Sequence, residues 1–274
     1  MSTRNSNGTA LITGASSGIG AVYAERLARR GYDLVLVARD KQRLLDLSTR
    51  LAEETRAKIE VLPADLTAKS DLAIVEARLR TDNTITMLVN NAGIALAGSL
   101  TAADPDRLEA VIQLNITAAS RLGVAAASAF SSRGHGAIVN IASVLALAPE
   151  ISNGIYSGTK AYILNFSQAM HQELASRGVQ VQVVLPGATR TEIWQRSGID
   201  VTKYDPSMIM EADEMVDAAL AGFDRKELVT IPSLPDPADW EALSTARLNL
   251  RPNLSRNRAA ARYRDKTAMS AVSN

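Results

Sequence analysis

The chain of 274 residues contains no cysteine. That excludes disulfides, thiolate zinc sites, iron–sulfur clusters and a cysteine nucleophile. Histidine is nearly as scarce: His135 and His171 are the two present, too little material for a histidine-rich metal site, and no metal is expected. Charge of one sign is lacking as well. Thirty Lys and Arg face twenty-nine Asp and Glu for a formal charge of +1, so no global field is directed at nucleic acid and no such partner is expected. No uninterrupted run of about 20 apolar residues occurs, so no membrane span is expected. The polar stretch Met1–Gly8 lacks the apolar core of a secretory signal and is expected to be disordered. Cytoplasmic residence is the expectation that these absences leave.

What is present is an ordinary globular balance, 46% hydrophobic and 22% charged, with ample length for a sizeable core. Apolar runs alternate with helical patterns. Strands are expected at 9–13, 34–37, 59–62, 87–89, 137–141, 179–185 and 228–231. Helices are expected at 18–30, 41–56, 70–81, 105–131, 156–176 and 211–223. Gly31 reads as a C′ residue after the first helix, and Asp104-Pro105 as N-cap and N1 of the fourth. Strands alternating with helices imply right-handed βαβ units. The fold class is therefore α/β: one doubly wound, Rossmann-type domain, a parallel sheet of about seven strands with helices on both faces. The domain is expected over residues 9–231. Pro232, Pro235 and Pro237 open a C-terminal extension, 232–274, with a helix near 239–250 and a basic tail. From Arg247 to Lys266 that tail has six Arg and one Lys against Asp265 alone.

Two local patterns carry chemistry. The first strand runs into Thr13-Gly14-Ala15-Ser16-Ser17-Gly18-Ile19-Gly20, which opens a helix. Glycines let backbone approach a phosphate closely, and a helix N-terminus offers free N–H groups and a positive dipole. The spacing is G-x-x-x-G-x-G, which departs from G-x-G-x-x-G, but its strand–loop–helix setting points to pyrophosphate binding. Further on, Tyr156 and Lys160 stand at i and i+4, one turn apart on one helix face. A free tyrosine has a pKa of about 10. A neighbouring ammonium favours the phenolate and is expected to lower that value, suiting Tyr156 to general acid/base work.

Together with Asn90-Asn91-Ala92-Gly93 after the fourth strand and Ser143 after the fifth, these motifs resemble the classical short-chain dehydrogenase/reductase family over about Thr9–Thr191. The resemblance implies roles. Ser143 hydrogen-bonds the substrate oxygen, Tyr156 exchanges the proton, and Lys160 also holds the nicotinamide ribose. Asn115 corresponds to the helix asparagine that supports a water-linked proton relay. Gly14, Ser16, Ser17, Gly18, Ile19 and Gly20 form the pyrophosphate turn. Asp65, with Leu66 beside it, matches the acid that binds the adenine amino group. Asn91, Ala92 and Gly93 complete the cofactor wall. Pro186, Gly187, Thr189 and Thr191 match the segment that contacts the nicotinamide amide, and Tyr156 and Lys160 count among the cofactor contacts too.

The end of the second strand reads Val37-Ala38-Arg39-Asp40. A carboxylate there suits the ribose hydroxyls of NAD, an arginine the 2′-phosphate of NADP. Ala38 holds the carboxylate position of the family pattern and Arg39 follows, so NADP(H) is the expected cofactor, with Asp40 capping the next helix. The expected reaction is hydride transfer between NADPH and a small-molecule ketone or aldehyde, or the reverse alcohol oxidation. The alternative from a different class is a catalytically silent NADP-binding sensor or scaffold. Leu145, Leu147 and Ile151 in 144–152, and Ile193, Trp194, Ile199, Tyr204, Met208 and Met210 in 192–210, are candidates for an apolar lid over the substrate. Family members usually form homodimers or homotetramers, and the helices at 105–131 and 156–176 are the expected contact faces.

Overall fold

Branched apolar runs form the strands, as their side chains fit a sheet buried on both faces. The structure, a computed structural model, describes residues 7–96, 98–151, 154–198, 200 and 204–264. Its strands are β1 (Thr9–Thr13), β2 (Asp33–Ala38), β3 (Ile59–Pro63), β4 (Ile85–Asn90), β5 (Gly136–Ile141) and β6 (Val179–Val184). After a separate two-residue parallel pair, β7 (Thr189–Arg190) and β8 (Met210–Glu211), comes β9 (Val229–Thr230). Seven strands pair in the order β3-β2-β1-β4-β5-β6-β9, every pairing parallel. The expected Rossmann-type sheet is present.

The helices of this unit are α1 (Gly18–Arg29), α2 (Lys41–Thr55), α3 (Lys69–Thr81), α4 (Pro105–Ile112), α5 (Ala119–Arg133), α6 (Ile155–Leu174), α7 (Ile193–Ser197) and α8 (Ala212–Asp224). One core joins the sheet to Tyr23 and Leu27 of α1, Leu44 and Leu51 of α2, and Met215 and Leu220 of α8. The opposite core takes Leu72 and Leu79 of α3, Leu122 and Phe130 of α5, and Met170 and Leu174 of α6. Local signals set the ends. Gly31 has φ +89° beyond α1, a conformation open to glycine at little cost. The Asp40 and Asp104 carboxylates accept from the backbone N–H groups of Arg43 and Asp106.

The helix expected over 105–131 is not uniform. Gln113–Ala118 forms a π-turn between α4 and α5. The apolar period runs on through this segment, so nothing in the pattern marks the extra residue. Such insertions gather at functional sites, and this one contains Asn115. By length and composition Pro105–Arg133 is apolar enough to cross a membrane. Its apolar residues Leu122, Ala126 and Phe130 are instead buried against the sheet.

Residues 1–6 of the expected disordered N-terminus lie outside the described residues; Asn7 donates its side-chain amide to the Arg30 carbonyl at 2.8 Å and accepts from the Thr86 hydroxyl at 2.8 Å. The chain divides into two compact units, 1–233 and 234–274. In the second, α9 (Pro237–Asn249) is capped by Asp236, and the Arg262 guanidinium lies 4.7 Å from the Tyr263 ring centre. Asp265 and Lys266 of the basic tail lie outside the described residues.

Candidate active site

In an open parallel sheet, ligands bind beyond the carboxyl ends of the strands, where the winding reverses. Here β1 and β4 are neighbours at that reversal. Two cavities of about 660 and 670 Å³ adjoin there and share Ile19, Asn91, Gly93, Ala95, Thr191, Ile193 and Ser197 in their walls.

One half is a polar trough. Gly14, Ser16, Ser17, Gly18, Arg39, Asp65, Leu66 and Ala92 line it along with the shared residues. Its glycines are required by the backbone. Gly14 and Gly18 have φ of +67° and +54°, where a side chain is strained. Gly20 does not face the trough: a Cβ there would lie 2.3 Å from the Gly14 carbonyl oxygen, so it fits the helix beneath the turn. The junction with β4 is locked by Thr13, whose hydroxyl accepts from the backbone N–H groups of Asn91 and Ala92 at 2.9 and 3.0 Å. The Asn91 amide donates back to the Thr13 carbonyl at 2.9 Å. Burial opposes ionisation of Asp65, but bonds from the Thr67 hydroxyl and N–H, with Arg39 nearby, outweigh it and hold the carboxyl below its usual range. Asp40 is engaged as the cap of α2 and in a 3.3 Å ion pair with Arg43.

The other half is apolar and contains the acid/base candidates. Ser143 follows β5, Tyr156 and Lys160 project from α6, and Pro186, Gly187 and Thr189 follow β6; all line this cavity. The Ser143 hydroxyl bonds to Tyr156 and accepts from the Leu145 N–H at 3.2 Å. Lys160 is buried, donates to the Ile141 carbonyl at 2.9 Å and has Nζ 5.5 Å from the Tyr156 ring centre. The expected lowering of the tyrosine by this ammonium is not found. Desolvation dominates: it raises the Tyr156 pKa to about 12 against the pull of Ser143, and lowers that of Lys160 to about 8. The i, i+4 spacing brings the two groups together, but solvation is decided by the surrounding fold.

Asn115 lines neither cavity. It lies directly behind them, buried, with its amide oxygen accepting from the Ile94 N–H at 2.9 Å and its NH₂ donating to the Ile94 carbonyl at 2.9 Å and the Thr159 hydroxyl at 3.1 Å. Its side chain therefore fastens the loop after β4 to the π-turn. Of the lid candidates, Leu145, Ile151, Ile193, Trp194, Tyr204 and Met208 line the apolar cavity. Met210 packs against the sheet core instead, drawn in by the β7–β8 pairing. Leu147 is not in the wall, because the turn of 3₁₀ helix at Val144–Ala146 carries it past the cavity and leaves it exposed. Ile199 lies outside the described residues. Missing from the sequence expectation are Leu96 and Leu100, on the loop after β4. Their one signal is position, past the strand at the reversal point.

Residues 8–201 match the short chain dehydrogenase family. The chain belongs to this family and is an oxidoreductase of its kind. An oxidoreductase of Staphylococcus saprophyticus described as uncharacterized is 34% identical over 205 residues, covering 74% of this chain and 88% of that protein. A short-chain dehydrogenase from Sphingobium yanoikuyae, solved in complex with NADPH, is 55% identical with a TM-score of 0.91, covering 93% of this chain and all (100%) of that one. The bulky-bulky ketone specific alcohol dehydrogenase from Comamonas testosteroni is 49% identical with a TM-score of 0.86, covering 93% of this chain and 98% of that one.

Proposed function

We propose that this chain is an NADP(H)-dependent carbonyl reductase or alcohol dehydrogenase acting on bulky, uncharged ketones. The observation that carries the reading is the meeting of Ser143, Tyr156 and Lys160 in an apolar cavity that shares a wall with the polar trough. The donor set of the trough fits a phosphorylated dinucleotide. The first turn of α1 has no acidic residue and its Ser17 hydroxyl caps nothing, while Arg39 suits a phosphate. The NADPH in the Sphingobium relative supports the same cofactor here.

When bound, the dinucleotide supplies hydride in reduction and accepts it in oxidation. Ser143 orients and polarises the substrate oxygen. The Tyr156 hydroxyl gives that oxygen its proton in reduction and takes it back in oxidation. Lys160 steadies the phenolate left behind. A tyrosine pushed up to about 12 stays protonated at neutral pH, the state that reduction needs. Intact Tyr156 and Lys160 favour an enzyme over a silent sensor.

Lys160 is the one charged side chain among the described residues lining the apolar cavity. A carboxylate or phosphate on the substrate finds no other cation there, while a bulky apolar group finds Leu96, Leu100, Leu145 and Trp194. The ketone specificity of the Comamonas relative supports this assignment. Exposed Ile112, Val124 and Tyr162 on α4, α5 and α6 support self-association through those helices.

Two measurements test the proposal. NADPH consumption is expected with bulky aryl ketones and not with 3-oxoacyl thioesters or sugars; turnover confined to the thioesters or the sugars would sink the substrate class. Arg39→Ala is expected to weaken NADPH binding by about 10–100-fold, the worth of a charged hydrogen-bonded contact, and to leave NADH unchanged. Equal loss for both cofactors would remove Arg39 from the 2′-phosphate site.

A further inference from the structure

The segment 191–197 walls both cavities. Thr191, Ile193 and Ser197 face each of them, Glu192 faces the trough, and Trp194 faces the apolar side. Trp194 donates its indole N–H to the Thr189 carbonyl at 2.6 Å and has its ring 5.2 Å from that of Tyr204. Toward the trough, Glu192 holds a residue far away in sequence: both of its carboxylate oxygens accept from Nη1 of Arg43 at 2.7 Å. Arg43 lies in the first turn of α2, one turn beyond Arg39, and is shared with Asp40 at 3.3 Å. A single guanidinium thus ties the first turn of α2, four residues beyond Arg39 of the trough wall, to the segment that carries Trp194.

This arrangement bears on what a 2′-phosphate does. The phosphate is a near-dianion with three strong acceptor oxygens, and guanidinium meets it in charge-assisted pairs. Glu192 carries the same sign as the phosphate and stands in the wall of the same trough. Its pair with Arg43 is partly exposed, with side-chain exposures of 45% and 41%, and such pairs are weak. A phosphate beside Arg39 therefore both competes for Arg43 and repels Glu192.

Resting on the NADP(H) assignment above, we propose that Arg43 and Glu192 form a latch that the 2′-phosphate opens. Arg43 turns from Glu192 to the phosphate. Glu192 moves off, and segment 192–197 carries Trp194 to a new position over the substrate cavity. Arg43 and Glu192 are positioning residues. They act through Trp194, and they make the substrate wall different with NADPH and with NADH.

The test uses the full chain with Trp240→Phe, which leaves Trp194 as the remaining one of two tryptophans. The probes are adenosine 2′,5′-bisphosphate and 5′-AMP, which carry no nicotinamide. Binding is followed by calorimetry and Trp194 by its emission. The bisphosphate is expected to shift the emission at saturation, and 5′-AMP to leave it unchanged. In Glu192→Gln the free protein already shows the shifted emission. It no longer responds to the bisphosphate, and binds it up to about fivefold tighter, the equilibrium worth of one exposed ion pair. Arg43→Gln gives the same released emission with weaker binding, so the result does not depend on one variant. If the bisphosphate does not bind at all, the cofactor assignment falls and the latch with it. If it binds without moving the emission, or if Glu192→Gln responds as its parent does, the latch alone falls.

Discussion

Tyr156→Phe is expected to lower turnover by about 10²–10⁴-fold, the range that a positioned proton donor contributes, with NADPH affinity retained. The substitution keeps the half-buried ring and removes one hydroxyl, together with its bond to Ser143. The residues of the polar trough, from Ser17 to Arg39 and Asp65, are untouched. The loss should appear equally in kcat and kcat/KM, because the missing proton transfer belongs to the transition state and not to substrate binding. The comparison is steady-state NADPH consumption with a bulky ketone beside a direct binding measurement. Near-parental turnover would move the proton to another donor, and a large fall in NADPH affinity would give Tyr156 a binding role instead.

The sheet was legible because its strands are dense in branched apolar residues and its helices begin and end on specific signals. Asp40, Asp104 and Gly31 each do in the structure what their residue types require. The site was legible for a related reason: the strand ends dictate where ligands bind, and the motifs stand at the ends of β1, β2, β4, β5 and β6. What escaped was of four kinds. The π-turn at Gln113–Ala118 is silent in a periodicity argument, since the apolar stripe continues through it. The Leu96 and Leu100 wall has no period at all. The Arg43–Glu192 pair joins residues 149 apart in the chain, and neither end has a local reason to pair. The protonation of Tyr156 and Lys160 escaped for a fourth reason. Spacing gives proximity, but burial sets the energy of the charge.

That burial has a measurable consequence at Lys160. Lys160→Met is expected to stabilise the free protein at pH 7 while disabling it as a catalyst. Lys160 is 5% exposed and its pKa is drawn down to about 8 by desolvation. In the unfolded chain a lysine keeps its proton to about pH 10.4. Between those values the unfolded state binds more protons, so the wild-type protein gains stability as pH rises through that window. Below about pH 8 the burial penalty is present in full, roughly 3 kcal/mol at 1.36 kcal/mol per pKa unit. Methionine keeps an unbranched apolar stem of similar length and carries no charge. It leaves the Ile141 carbonyl without the lysine bond of 2.9 Å, a loss of about 1 kcal/mol. The net gain at pH 7 is roughly 2 kcal/mol, or about 4–6 °C in Tm for a domain of this size. The gap should close toward pH 10, where the wild-type lysine is neutral in the folded state. Thermal unfolding of both proteins across pH 7–10, without cofactor, reads the gap directly. A Met variant that is less stable at pH 7, or a gap that ignores pH, would mean that the ammonium is well solvated or paired in its place. A stabilised, inactive variant would identify Lys160 as a charge held in the core for the sake of the reaction.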